Sequence, residues 1–222
     1  MRRRRSGVAP AVVLGVLLAT GCGAPDAPNL DSPGSSIVCF GDSITHGTGA
    51  SREESYPSRL ADALGLPVVN AGVPGDTTAG GLARLDDVLA HDPWLVIVEL
   101  GGNDLLRRRP AAATEADLAT VVERLLAARV AVVLVAVDAP LLGAGYGAMY
   151  ERLAERFGVP LVDRVLREVL SDPRRKSDQI HPNAAGYADL ARAVAATVEP
   201  LVVTRRGRGL PVAPADRLRQ AA

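Results

Sequence analysis

Five short, uninterrupted apolar runs, each followed by a longer stretch with helical spacing, leave this chain few architectures to choose from. The runs are Ser36–Phe40, Pro67–Asn70, Trp94–Leu100, Val130–Val137 and Pro160–Val162. Most are β-branched and continuous rather than alternating, the pattern of strands covered on both faces of a parallel sheet. Helical spacing marks Arg52–Leu64, Thr78–Ala90, Thr114–Ala128, Tyr146–Phe157 and Ala184–Val203. In the third of these, Thr114 and Asp117 predict the helix start, and Leu118, Val121, Val122, Leu125 and Leu126 form one apolar face. The rhythm predicts an α/β fold, an open sheet with helices on both faces. In such sheets ligands gather beyond the C-terminal ends of the strands, so the loops there are the place to look for chemistry.

The flanks read differently. Arg2–Arg5 precede an apolar run, Val8–Ala19, that is too short to cross a bilayer as a helix, for which about 20 residues are needed. A basic start, a short apolar stretch and small residues predict an export signal over 1–21. Ala19-Thr20-Gly21-Cys22 resembles a bacterial lipobox, which implies that Cys22 is the lipidated first residue of a mature chain held at a membrane, in the periplasm or at the cell surface. The Pro-, Gly- and Ser-rich stretch 22–35 is expected to be a flexible tether, 36–203 the domain, and the arginine-rich 204–222 a disordered tail with weak affinity for an anionic surface.

Formal charge is zero over the whole chain and turns negative once Arg2–Arg5 are removed. With no basic stripe and only 3% aromatic residues, nucleic acid is not an expected partner, and the core must come from Val, Leu and Ala. The two cysteines of an exported chain pair by default. Lipid on Cys22 would forbid that within one chain, and Cys39, inside Ile37-Val38-Cys39-Phe40, reads as a small buried core residue.

Four loops carry residue types suited to catalysis. Gly41-Asp42-Ser43 follows the first strand and can raise a hydroxyl at the sheet edge, although an N-capping serine or aspartate has the same look. Gly72-Val73-Pro74-Gly75-Asp76-Thr77 follows the second, either a plain Gly/Pro turn or a backbone that approaches an anion. Asn103, in Gly101-Gly102-Asn103-Asp104 after the third strand, offers an amide donor suited to an oxyanion hole or to an Asx turn. Asp178 and His181, three residues apart, can face each other so that the carboxylate fixes the imidazole tautomer. His46 and His91 lack such a partner, and no metal-ligand spacing occurs.

In order and spacing these segments resemble the sequence blocks of the SGNH (GDSL) hydrolase superfamily over roughly Ser36 to Val203. Within it they resemble the periplasmic acyl-CoA thioesterase, arylesterase and lysophospholipase subgroup. The resemblance implies a three-layer α/β/α, flavodoxin-like fold with a five-stranded parallel sheet and a serine hydrolase acting on ester or thioester bonds. It implies Ser43 as nucleophile, His181 as base and Asp178 as its partner. The oxyanion hole would be Ser43, Gly75 and Asn103, with Gly72 as the alternative to Gly75, and no cofactor or metal is implied. The expected substrate is a small-molecule or lipid ester, and a monomer is the default.

Leu105, Leu106, Leu141 and Leu142 are the candidate acyl-groove residues; Arg107, Arg108 and Arg109 would meet an anionic head group or form a solvated loop. A carbohydrate O-acetylesterase is the main alternative function, and a non-catalytic binding module on the same scaffold is a further one. Gly143-Ala144-Gly145-Tyr146-Gly147-Ala148, with Asp163 twenty residues on, also traces a dinucleotide-binding fingerprint. Two features oppose it: Asp138–Leu142 separates the first glycine from its strand, and too little chain follows Asp163 for a second half-fold.

Overall fold

A computed structural model describes residues 27–138 and 146–212. Its strands are β1 (Ser36–Gly41), β2 (Val68–Gly72), β3 (Pro93–Glu99), β4 (Ala131–Val135) and β5 (Leu161–Val162). They form one parallel sheet in the order β2-β1-β3-β4-β5, so every described strand ends on the same edge. This is the expected flavodoxin-like arrangement. The order reverses between β1 and β3, the switch point where such sheets open a crevice. β1, β3 and β4 are buried along their whole length, which explains their unbroken runs of apolar residues. The β2 edge strand is half-covered.

The helices are α1 (Ser43–His46), α2 (Tyr56–Leu64), α3 (Thr78–Ala83), α4 (Leu85–Leu89), α5 (Gly102–Leu106), α6 (Ala111–Ala127), α7 (Tyr146–Phe157), α8 (Val165–Ser171) and α9 (Ala184–Gly207). α9 packs with α2 and α8, while α6 packs with α3 and α7, giving the two outer layers. Among the described residues no helix is long and apolar enough to cross a membrane.

Several boundaries differ from those expected. The helix expected at Thr114 starts one turn earlier, after Pro110, and Thr114 is buried inside it. Proline has no N–H to leave unpaired at a helix start, so it is well suited there. Asp117 is drawn away to Arg109 and Thr78. The single helix expected over Thr78–Ala90 breaks at Arg84, whose guanidinium reaches Asp76 and the carbonyls of Ala71 and Gly41. Arg84 thereby ties the ends of β1 and β2 to the loop between β2 and α3.

Packed structure also reaches outward into both flanks, to Ala27 at one end and through Arg205 at the other. Ala27 and Leu30 are buried in the core, and the Asn29 side chain donates to the Leu126 carbonyl at 2.9 Å. Arg205, assigned by composition to a solvated tail, is fully buried within α9. Its guanidinium donates to the carbonyls of Leu30, Ser32 and Gly34 and lies 4.8 Å from the Trp94 ring centre. Burial lowers its basicity from the ordinary arginine value. Segments 27–35 and 204–207 are thus one packed unit, because a buried guanidinium needs several acceptors and the N-terminal backbone supplies them. Residues 1–26 (including Cys22), 139–145 and 213–222 lie outside the described residues, so the export signal, the lipidation site and the outer tail do too.

Candidate active site

The rim of the sheet brings all four chemical loops into hydrogen-bonding contact, the second through the Val73 N–H to the Gly41 carbonyl at 3.0 Å. Ser43 begins α1 directly after β1, capped by Asp42, whose Oδ1 accepts the Ile44 N–H at 3.0 Å. His181 Nε2 lies 3.0 Å from Ser43 Oγ, and His181 Nδ1 lies 2.7 Å from Asp178 Oδ2. Asp178 cannot swing freely, since its Oδ1 accepts the N–H groups of Ile180 and His181 at 2.8 and 2.9 Å. Partial burial raises its carboxyl, but the His181 ring and these two N–H groups outweigh that, and it sits below the ordinary aspartate value.

The loop bearing the histidine is itself held closed. Ser177 N–H donates to the His181 carbonyl, and Lys176 and Pro182 form an antiparallel bridge. Asn183 caps α9 through Oδ1 while its amide donates to the Arg174 and Lys176 carbonyls. A β-carbon on Gly49 would fall 2.5 Å from the Pro182 carbonyl oxygen, so glycine there lets the α1 loop approach. These restraints fix the imidazole above Ser43.

Asn103, in the short α5, donates from Nδ2 to Asp42 Oδ2 at 2.8 Å, which leaves its second amide proton for a ligand. Its helix is positioned from below: Tyr150 and Tyr146 donate to the carbonyls of Leu100 and Gly101. Gly101 has φ +126°, and a β-carbon there would meet the Tyr150 hydroxyl at 2.4 Å. Gly75 adopts φ +81°, and its carbonyl accepts from Arg107 at 2.8 Å. The alternative, Gly72, sits in β2 with its N–H already donated to Asn70 Oδ1 at 3.0 Å.

Ile44, Leu106, Val137, Leu170 and Ile180 give this pocket an apolar wall beside Ser43 and His181. Of the two expected leucines that fall among the described residues, one lines it. Leu105 turns into the core, because successive helical residues point about 100° apart, while Leu106 stays half-exposed at the pocket. Leu141 and Leu142 lie outside the described residues. Of the three arginines, Arg109 is drawn into the protein, bonding Asp104, Asp117 and Thr78. Asp104, fully buried, also accepts the Thr78 N–H and hydroxyl, and so joins α3 to α5.

Two further acids belong to the site: Asp42, named in the sequence only as part of its motif and as a capping candidate, and Glu99, which no motif named. Asp42 is the shared acceptor of Ile44 and Asn103, with its carboxyl pushed up to about 6 by burial. Glu99, wholly buried at the end of β3, is pushed well above the usual carboxylate range, first by burial and then by the Asp42 charge. A lone acid inside the otherwise apolar run Trp94–Leu100 was the available signal.

The dinucleotide outline is not followed. The sheet ends at β5 among the described residues, with no second half-fold, and Asp163 is engaged by Arg164. The first three residues of that outline, 143–145, lie outside the described residues. No cluster of three His, Cys, Asp or Glu side chains converges among the described residues.

A parallel α/β sheet with a hydroxyl, an imidazole and a carboxylate joined by hydrogen bonds on its rim has the arrangement of a serine hydrolase. A family model described as the GDSL-like lipase/acylhydrolase family matches residues 39–188, and the chain belongs to that family. It is 36% identical over 178 residues to thioesterase 1/protease 1/lysophospholipase L1 of Escherichia coli, covering 75% of this chain and 84% of that protein. It is 33% identical over 201 residues to esterase TesA of Pseudomonas aeruginosa, covering 84% of this chain and 98% of the relative. A crystal structure of TesA superposes with a TM-score of 0.70 at 33% identity, covering 75% of this chain and 99% of that one.

Proposed function

We propose that Ser43, His181 and Asp178 form the catalytic triad of an exported esterase or thioesterase for acyl esters of lipid, aryl or thiol leaving groups. The observation that carries this is the unbroken line from Ser43 Oγ to His181 Nε2 at 3.0 Å and from His181 Nδ1 to Asp178 Oδ2 at 2.7 Å. His181 takes the proton from Ser43 as the hydroxyl attacks the carbonyl, and Asp178 stabilises the imidazolium that forms. The oxyanion is met by the N–H groups of Ser43 and Gly75 and the free amide proton of Asn103. His181 returns the proton to the leaving alcohol or thiol, breaking the acyl bond. Water then attacks the acyl-enzyme with His181 again as base, and Ser43 is restored. Asn103→Ala is expected to lower kcat by about 100-fold or more with little effect on KM. An unaltered kcat removes Asn103 from the oxyanion hole.

The acyl side of the substrate follows from the pocket wall. Each methylene buried against Ile44, Leu106, Val137, Leu170 and Ile180 contributes about 0.8 kcal/mol, or roughly fourfold in kcat/KM. For p-nitrophenyl esters, kcat/KM is therefore expected to rise at least about tenfold from acetate to hexanoate. A preference for acetate, together with turnover of acetylated sugars, would instead make the enzyme a carbohydrate O-acetylesterase. The same proposal takes 1–21 as an export signal and Cys22 as a lipid anchor, which places the active domain at a membrane facing lipid esters.

A further inference from the structure

Glu99 is a buried titratable group for which the triad mechanism has no use. It ends β3 directly beneath the turn that carries Ser43, with no exposed surface. Its Oε2 accepts the Thr45 N–H at 3.2 Å and the Thr45 hydroxyl at 2.7 Å, which pins it to α1. Its Oε1 is buried without any hydrogen-bond partner. The approach depends on Gly41, where a β-carbon would lie 2.8 Å from Glu99 Oε2 and 2.0 Å from Thr45 Oγ1.

The groups facing Glu99 are Asp42 from the β1 loop, Cys39 on β1, Tyr56 on α2, Tyr150 on α7 and Tyr187 on α9. None of them is a cation, and among the described residues no lysine or arginine is bonded to the Glu99 carboxyl. A carboxylate here would have neither water nor counter-charge, and two ionised carboxyls side by side repel. A neutral acid removes both costs and turns the orphaned oxygen into a donor. The facing acceptor is Asp42, the residue that holds Asn103.

We infer that Glu99 is a positioning residue carried as the neutral acid, whose Oε1–H donates to the Asp42 carboxylate and so fixes the acceptor that orients Asn103 and the start of α1. Asp42 then holds the single negative charge of the pair, since its two oxygens already accept from the Ile44 N–H and the Asn103 amide. The catalytic consequence rests on the assignment of Asn103 to the oxyanion hole, whereas the protonation state does not.

Infrared difference spectroscopy of wild type against Glu99→Gln tests the proton directly. The expected result is the carbonyl stretch of a protonated carboxylic acid in wild type at pH 7, absent from the variant. Kinetics test the positioning: Glu99→Leu is expected to lower kcat about 10–100-fold with KM little altered, the size of effect that supporting groups around a site usually have. Glu99→Gln keeps a donor and an acceptor and is expected to recover most of that loss.

Folding stability gives a third readout. Because the folded acid is raised above its unfolded value, wild type holds a proton that the unfolded chain has released. Its stability relative to Glu99→Gln is therefore fully present below about pH 4 and declines as pH rises toward the folded value. Absence of the acid band at pH 7 overturns the inference, whether or not Glu99→Leu folds. So does wild-type kcat in a folded Glu99→Leu protein. The infrared result is independent of turnover, so a failed triad assignment would leave it standing.

Discussion

Ser43→Ala is expected to lower kcat for p-nitrophenyl ester hydrolysis by at least about 10⁴-fold while leaving the protein folded. The size follows from chemistry. Without Oγ there is no acyl-enzyme, and hydrolysis must proceed by direct attack of water, helped only by the oxyanion donors and substrate binding. The small effect on folding follows from the surroundings of Ser43. Its side-chain hydrogen bond is to His181, whose ring is held independently by Asp178. The capping of α1 comes from Asp42, and alanine is well tolerated in a helical turn. Circular dichroism and the thermal midpoint should match wild type. Labelling by an alkyl fluorophosphonate, which requires a nucleophilic hydroxyl, should be lost with turnover. Retained turnover and labelling in the purified variant would exclude Ser43 as nucleophile.

What the chain discloses on reading alone is the part encoded locally. A run such as Trp94–Leu100 is buried on both faces wherever it lies in the sheet, so its composition suffices to mark it as a strand. Gly41-Asp42-Ser43 and Asp178-x-x-His181 each carry their own geometry within a turn. The burial of Arg205 is not legible in the sequence because three of its four carbonyl acceptors lie more than 170 residues away, and composition groups it with exposed arginines. Glu99 needs Thr45 and Asp42 from another strand end before its protonation state has meaning. The split at Arg84 is likewise tertiary, since it depends on carbonyls at the ends of β1 and β2. Leu105 and Leu106 are equivalent as letters and are separated only by the rotation of α5.

Asp178→Asn is expected to cost about 10³-fold in kcat, and at least as much as Asp178→Ala. Replacing a fully buried triad aspartate by asparagine costs about 10⁴-fold, because the amide enforces the wrong imidazole tautomer. Asp178 is about half exposed, so water can partly substitute for it, and the loss should be smaller. The hydrogen bonds around it decide which way an asparagine would point. Oδ1 accepts two backbone N–H groups, from Ile180 and His181, and only a carbonyl oxygen can serve there. The NH₂ group is then turned toward His181 Nδ1, which must become the acceptor and send its proton to Nε2. An Nε2–H cannot take the Ser43 proton, so the Asn variant actively blocks the base. Alanine removes the orienting carboxylate but imposes no tautomer. Steady-state kcat for the two variants at neutral pH checks the order: an asparagine variant within tenfold of wild type, or clearly faster than the alanine one, would remove Asp178 from its role.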